Sequence, residues 1–218
     1  MRARPILFSS EMVRAILDGR KTQTRRVITQ PIFTINNLPP AEQPFQVFVG
    51  VGETIDWFGK SAHNKYRELP CPYGQPGDRL YVRETWAMEP CFDHLAPKDI
   101  AESARSMDRC YYRHGGKVFT EGWHRLRPSI HMPRWASRID LEVTSVRVER
   151  VQDICELECY AEGISRDILS DPEDHMERVR ENYHVLWDLL NSKRGYPWDS
   201  NPWVWVVEFA PATPQEDR

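Results

Sequence analysis

An amine and a hydroxyl stand close together in a short basic segment near the start of the chain. The segment reads Gly19-Arg20-Lys21-Thr22-Gln23-Thr24-Arg25-Arg26 and follows an amphipathic pattern that predicts a helix over residues 10–19, capped by Ser9 or Ser10. Lys21 and Thr24 therefore leave the helix end in a tight turn, where an amine can activate a hydroxyl as a nucleophile. The alternative is a solvated helix end, because cations are favoured near a helix C-terminus.

Composition indicates a soluble globular chain. Of its 218 residues, 40% are hydrophobic and 28% are charged, which suits one domain with a buried core. No apolar run is long enough to cross a bilayer, and Ile6-Leu7-Phe8 is too short for the core of a signal peptide. We therefore expect a cytoplasmic location and no membrane partner, and we infer no obligate protein partner.

Charge is unevenly distributed along the chain. The formal net charge of −3 does not indicate a nucleic-acid-binding protein. Residues 1–27 and 122–139 are nevertheless rich in arginine, and the second range contains no acid. These two ranges either form one phosphate-facing surface or contribute scattered, solvated side chains.

The cysteines predict neither a disulfide framework nor a metal site. Cys155 and Cys159 are four positions apart, as are Cys110 and His114, but no second pair completes a zinc-finger spacing. We therefore expect reduced thiols, no metal and no cofactor.

Period-two alternation predicts a set of strands. One strand is expected to bend near Glu84 and another at Ser145, because the apolar parity changes at each position. The last strand is apolar on both faces and should be central in its sheet and covered on both sides. The predicted strands lie at residues 6–8, 45–51, 79–86, 111–112, 139–151 and 203–209.

Two further helices complete the predicted elements. Leu157 to Glu162 is expected to form a short helix capped by Asp153 and closed by Gly163. A long helix is expected to begin at Asp171-Pro172.

This order of elements predicts an α+β fold, a curled mixed β-sheet or small β-barrel flanked by two or three helices. We expect a single domain over residues 1–210, with long insertions at about 29–76 and 88–127, followed by a polar tail at 211–218.

Several of these segments, taken in order, resemble ASCH domains of the PUA-like superfamily. The segments that carry the resemblance are residues 5–8, 19–26, 77–86, 139–151, 161–163 and 203–209. Residues 129–136 and 201–203 resemble the long phage and prophage branch of that family in particular. The resemblance implies a PUA-like curled sheet.

The resemblance also implies an activity and a set of site residues. The family is proposed to act on RNA or modified nucleosides, and some small bacterial members are amidohydrolases that remove the acyl group from N4-acetylcytidine. Their lysine, threonine and glutamate correspond by motif to Lys21, Thr24 and Glu162. In that role Thr24 is the nucleophile, Lys21 the base, and Glu162 a proton shuttle or water-positioning group, with the amides of the turn steadying the oxyanion. Without the family, Lys21 reads as the partner of a carboxylate or as a solvated amine, Thr24 as a β-branched strand residue, and Glu162 as a helix-end acid.

Further side chains are candidates for substrate contact. The two arginines and the glutamate among them otherwise read as surface ion pairs or strand positions, and the tryptophans as core or rim packing. The candidates are Arg20, Arg26, Glu84, Trp86 and Trp135, with Trp203 and Trp205 as further stacking positions. The two long insertions have no counterpart in the compact amidohydrolases and leave the nucleoside substrate open.

Two other functions are compatible with the sequence. One is an RNA or modified-base binding module, in which the basic ranges contact phosphates and a tryptophan stacks on a base, so that affinity falls steeply with salt. The other is a ribonuclease acting on single-stranded RNA, in which His124 or His131 works with Lys21 in acid–base catalysis.

Overall fold

A computed structural model of the chain describes residues 3–29, 47–50, 66–119, 124–164 and 175–212. Within these ranges the strands are β1 (Arg4–Leu7), β2 (Gln23–Val27), β3 (Val47–Gly50), β4 (Tyr66–Leu69), β5 (Arg79–Arg83), β6 (Trp86–Met88), β7 (Cys110–Tyr112), β8 (Asp140–Arg150) and β9 (Trp203–Pro211). The α-helices are α1 (Ser10–Leu17), α2 (Glu156–Ala161) and α3 (His175–Asn191). No helix in the described ranges has both the length and the apolar character needed to cross a membrane.

Five strands form one mixed sheet in the order β1-β5-β8-β9-β2. β1 and β5 run parallel, and the other neighbouring pairs are antiparallel. The predicted α+β class with a mixed sheet is therefore confirmed. Within the described residues β1 and β2 are the edges of this sheet, so the small closed barrel that was predicted as an alternative is not formed there.

The central strands follow their hydrophobic pattern. The register between β8 and β9 shifts between Val143 and Ser145, which confirms the bend predicted at Ser145 as a bulge. β9 lies between β8 and β2, and its residues 204–207 are all buried. This position confirms the prediction of a central strand covered on both faces.

The sheet separates two apolar cores. α1 contributes Val13 and Ile16 to the core on one face, whereas α2 and α3 cover the other face through residues such as Cys159 and Trp187. The end of α2 also bonds to the segment that precedes β2, since the Thr22 amide donates to the Ala161 carbonyl at 2.9 Å. The edge strand β2 therefore lies beside the end of α2.

The chain leaves the main sheet after Arg83, which confirms the bend predicted near Glu84. β6 then pairs with β7, and the predicted strand at 111–112 belongs to β7. These two strands carry a third, smaller core. Its fully buried members include Trp86, Met88, Ile100, Cys110 and Met132.

The helix ends match the sequence analysis in part. Ser9 caps α1 by accepting a hydrogen bond from the amide of Met12 at 3.4 Å. The cap of α2 is Cys155 rather than the predicted Asp153, because Asp153 belongs to a preceding 3₁₀ turn and accepts from the Arg150 amide instead.

Some predicted features fall partly outside the described ranges. The predicted start of the long helix at Asp171-Pro172 lies outside the described residues, as do residues 213–218 of the predicted polar tail. Most of the first predicted insertion also lies outside them. Within it, β3 pairs with β4, in agreement with the strand predicted at 45–51.

Candidate functional site

The predicted lysine and glutamate are in direct contact. Nζ of Lys21 donates to the side-chain Oε2 of Glu162 at 2.7 Å and to the backbone carbonyl oxygen of the same residue at 2.7 Å. The side chain of Lys21 is 0% exposed and that of Glu162 is 5% exposed. Burying an ionised group is costly unless it has a close partner, and each of these residues supplies that partner to the other.

Backbone contacts between two helix ends position this pair. The amides of residues 20–22 donate to the carbonyls of Ala15 in α1 and Ala161 in α2. Gly163 follows α2 with a φ of +97°, and a Cβ added there would lie 3.1 Å from the Cβ of Ala15 and 3.3 Å from that of Lys21. A glycine therefore allows α2 to end this close to α1.

The same bonds limit which amides of the turn could steady an oxyanion. The amides of Arg20 and Lys21 both donate to the Ala15 carbonyl, and that of Thr22 donates to Ala161. These amides are occupied because they tie the two helices to β2. They are therefore not available to an oxyanion in this conformation.

Burial changes the acid–base behaviour of Lys21. Loss of hydration lowers the pKa of Lys21, and Glu162 opposes this through its charge and its hydrogen bond. The positive charges of Arg26 and Arg25 lower that pKa further. The net pKa lies below the ordinary value for lysine, which is the direction that a general base requires. Burial also raises the pKa of Tyr183 on α3 well above its ordinary value, so this phenol stays neutral.

Arg25 makes contacts that the sequence analysis did not predict. Its side chain is 0% exposed, and Nη2 lies 3.0 Å from a carboxylate oxygen of Glu149 in β8 and 3.0 Å from one of Glu158 in α2. Nη1 lies 3.7 Å from Oε1 of Glu162. The alternation of β2 was a usable signal, because it places Arg25 and Thr24 on opposite faces of the strand.

Thr24 and Arg26 share the other face of β2. The Arg26 guanidinium lies over the rings of Phe8 and Tyr73, 5.2 Å and 5.9 Å from their centroids, and donates to a backbone carbonyl of β1 at 2.6 Å. Nζ of Lys21 lies over the same Phe8 ring at 5.7 Å. Thr24 is buried at the start of the strand, between these two cations in sequence. Its role as a nucleophile and that of Arg26 as a ligand contact stay predictions.

Glu84 lies in a separate ion pair. It is buried, and its two carboxylate oxygens accept from Nε and Nη2 of Arg138 at 2.9 Å and 3.0 Å. The Arg138 guanidinium also lies over the ring of Tyr112, 4.1 Å from its centroid. Both acceptor oxygens of Glu84 are therefore engaged by a partly buried arginine, and its contact with a substrate stays a prediction.

The tryptophans belong mainly to packing. Trp86 is 0% exposed, with the Arg127 guanidinium over its ring at 5.5 Å and Trp135 meeting it edge-on at 5.8 Å. Trp86 is therefore a core residue, which favours the packing alternative, and its stacking on a base stays a prediction. Trp205 is also buried, and Trp203 is covered by Arg150 at 4.2 Å. Trp135 is partly exposed, and its stacking role stays a prediction.

The arginines of the two basic ranges are engaged within the fold. Arg20, which is 41% exposed, contacts Asp18 at 3.0 Å and donates to the Gly163 carbonyl at 3.2 Å, and its contact with a ligand stays a prediction. Other pairs of this kind are Arg4 with Asp78, Arg14 with Asp18 and Arg134 with Asp140. These arginines are therefore neutralised locally, which weakens the interpretation of one phosphate-facing surface.

The two histidines lie in the neighbourhood of the β6–β7 pair. The His124 ring packs against Tyr111 with centroids 4.2 Å apart, and His131 is exposed in the 3₁₀ turn Ser129–His131. Lys21 is bonded to Glu162 instead, so these contacts do not favour the ribonuclease interpretation.

A cavity of about 230 Å³ lies on the sheet face of Arg26. Trp205 forms part of its wall and is the cross-strand partner of Arg26. Arg4 and Asp78 also line it, and they lie 3.8 Å apart from each other. Among the residues that the structure describes, the His, Cys, Asp and Glu side chains form no group of three or more that could hold a metal ion.

Comparison of the chain with protein-family models, with curated proteins and with solved structures yields no match. The similarity to ASCH domains is therefore a resemblance of motifs alone. The function has to be argued from the site itself.

Proposed function

We propose that this protein is an amidohydrolase that removes the acyl group from N4-acylated cytidine or a related modified nucleoside. The observation that carries the proposal is the buried contact between Lys21 and Glu162, two residues 141 positions apart that the motif resemblance had singled out together. Burial lowers the pKa of Lys21, which favours the neutral amine that a base must be. The buried Thr24 supplies the hydroxyl.

The chemistry divides into an acylation and a deacylation. Neutral Lys21 takes the proton of the Thr24 hydroxyl as its oxygen attacks the acyl carbonyl carbon. The carbon–nitrogen bond then breaks, the N4 amine of cytidine leaves with the proton returned by Lys21, and the acyl group stays on Thr24 as an ester. A water molecule, deprotonated by Lys21, attacks the ester, which releases the carboxylic acid and restores the hydroxyl.

Glu162 has a positioning and electrostatic role in this scheme. Its Oε2 holds Nζ of Lys21 in place at 2.7 Å and stabilises the ammonium ion that forms each time Lys21 accepts a proton. Charge separation within a buried site is favourable only when such a counter-charge is already in position.

The binding-module alternative receives less support from the described contacts. A salt-sensitive RNA surface needs basic side chains that are available to phosphates. Arg25 is buried, and Arg134 and Arg138 are each paired with a carboxylate.

The test is to incubate purified protein with N4-acetylcytidine and to follow cytidine release. We expect turnover by the wild type, a loss of about 10²–10⁴-fold in Lys21→Ala, and a comparable loss in Thr24→Val. Glu142→Gln, an exposed position of β8, is the control and should retain full activity. Absence of turnover by the wild type, or full turnover by Lys21→Ala, would contradict the proposal. Salt-sensitive RNA binding without turnover would favour the binding module.

A further inference from the structure

We propose that Arg25 is a positioning residue for the Lys21–Glu162 pair. The guanidinium of Arg25 balances the charge of Glu162 when Lys21 is neutral. The catalytic meaning of this role rests on the function proposed above. The charge coupling among the three residues is measurable without it.

Two buried atoms of Glu162 and Arg25 face each other. Oε1 of Glu162 and Nη1 of Arg25 lie 3.7 Å apart, within ion-pair distance but beyond hydrogen-bond distance. Both atoms are buried, and neither has a hydrogen-bond partner within the described part of the chain. An approach of about 0.5–1 Å would join them in a charge-assisted hydrogen bond.

The chemistry of the base requires such a second counter-charge. While Lys21 is an ammonium ion, Oε2 of Glu162 is paired with it at 2.7 Å. When Lys21 becomes a neutral amine, the carboxylate is left buried without a cationic partner on that side, and this is a costly arrangement. Arg25 on the Oε1 side removes that cost, so that the neutral form of Lys21 becomes accessible.

Arg25 is itself held firmly in place. Nη2 of Arg25 contacts the carboxylates of Glu149 and Glu158. Arg147, which lies in β8, pairs with the same two carboxylates. Arg147 also pairs with Glu208 in β9. A guanidinium fixed by this network keeps its charge beside Glu162 throughout a reaction cycle.

Other charged and titratable groups near Lys21 and Glu162 also influence the protonation of this pair. Lys21 faces Glu162, Arg26 and Arg25. Glu162 also interacts electrostatically with Tyr183 and Cys159, which burial keeps neutral by raising the pKa of each. Arg25 and Arg26 are therefore the cations that act on Lys21 among the described residues, and only Arg25 lies in ion-pair contact with the carboxylate partner of Lys21.

The test measures the pKa of Lys21 by NMR in protein labelled at the lysine side chains, with the signal assigned by its absence in Lys21→Arg. We expect Arg25→Gln to raise the pKa of Lys21 by about one unit, because a neighbouring cation is lost and the ammonium form is then favoured. Arg25→Lys retains the charge and should show a smaller rise. Arg138→Gln is the control, because it removes a partly buried guanidinium from the Glu84 pair without touching Lys21, and it should leave that pKa unchanged.

A second measurement follows the titration of Arg25 in the wild-type protein and does not depend on whether a variant folds. In the wild type, the side-chain nitrogen signals of Arg25 should titrate with the same midpoint as Lys21, because the Glu162–Arg25 contact tightens when Lys21 loses its proton. Arg25 signals that do not respond to this titration would overturn the proposal. So would an unchanged Lys21 pKa in folded Arg25→Gln, or an equal shift in Arg138→Gln.

Activity distinguishes this inference from the function on which its meaning rests. If the protein hydrolyses the nucleoside, the rise of kcat/KM with pH that reports neutral Lys21 should move upward in Arg25→Gln by the same amount as the pKa measured by NMR. If the role of Arg25 were purely structural, Arg25→Gln would lower kcat/KM without changing the pH at which kcat/KM rises. If the NMR shifts occur and the wild type shows no turnover, the charge coupling stands and the hydrolase proposal fails.

Discussion

The substitution Glu162→Gln tests whether the buried Lys21–Glu162 ion pair stabilises the folded protein. The substitution keeps the shape of the side chain and an acceptor oxygen for Lys21, but it removes the negative charge. Both side chains are at most 5% exposed and their charged atoms lie 2.7 Å apart, so water cannot replace the lost partner. Breaking a buried pair by removing one member costs about 3–5 kcal/mol, and the retained acceptor favours the lower end of that range.

The pH dependence follows from the lowered pKa of Lys21. The unfolded chain holds the Lys21 proton up to the ordinary pKa of 10.5, whereas the folded protein releases it earlier, so stability rises with pH between the two values. Glu162→Gln lowers the folded pKa of Lys21 further, because the group that opposes the effect of burial is gone. The free energy of unfolding of the variant therefore begins to rise at a lower pH than that of the wild type. The difference between the two proteins becomes smaller as the pH increases.

The assay is urea unfolding of the wild type and the variant between about pH 6 and pH 10, on the acid side of the ordinary pKa of lysine. Glu142→Gln is the matched control on the exposed face of β8 and should stay within about 0.5 kcal/mol of wild type. Lys21→Met combined with Glu162→Gln should be more stable than Glu162→Gln alone, since no buried charge is then left unpaired. If Glu162→Gln loses no more free energy of unfolding than the control at every pH, the buried pair does not stabilise the fold.

Three further predictions concern the surrounding fold. Gly163→Ala should destabilise the protein in urea by more than about 1 kcal/mol and by more than Gly195→Ala, because both have positive φ but only the first meets close neighbours; equal losses would show that crowding at α1 is unimportant. Trp86→Ala should cost about 3–5 kcal/mol by the same measurement, as for a fully buried aromatic, and a small loss would indicate a surface position. Iodoacetamide at neutral pH should modify the exposed Cys91 well before Cys110, because burial raises the pKa of Cys110 to about 11, and peptide mapping that finds the reverse order would contradict the described packing.

Local pattern predicted four of the five strands of the main sheet. It did not predict β2, because the first four residues of that strand are polar or charged and show no apolar alternation. The parity change at Ser145 predicted the bulge, and the two-sided apolar run of β9 predicted its central place, because side-chain alternation is a property of the strand itself. The cap of α2 was mispredicted since Asp153 and Cys155 lie close in sequence, and only the geometry of the preceding 3₁₀ turn separates their roles.

The contact between Lys21 and Glu162 was predictable only from the motif resemblance, because the two residues are 141 positions apart in the sequence. Spacing alone does not connect Lys21 to Glu162, and the contact depends on α2 ending against the segment before β2. The partners of Arg25 and Glu84 were not predicted for the same reason, since ion pairs between separate elements leave no periodic trace in the sequence. For Trp86 the sequence left core packing and base stacking open, because an aromatic side chain suits both.

Identification of a covalent acyl-enzyme on Thr24 would test the proposed hydrolysis most directly. Protein mixed with excess N4-acetylcytidine is quenched in acid at early times and examined by intact mass, followed by peptide mapping. We expect a wild-type species heavier by one acetyl group on Thr24, and no such species in Thr24→Val or Lys21→Met. Cytidine release in which no acetyl group is found on Thr24, or undiminished release by Thr24→Val, would contradict this expectation.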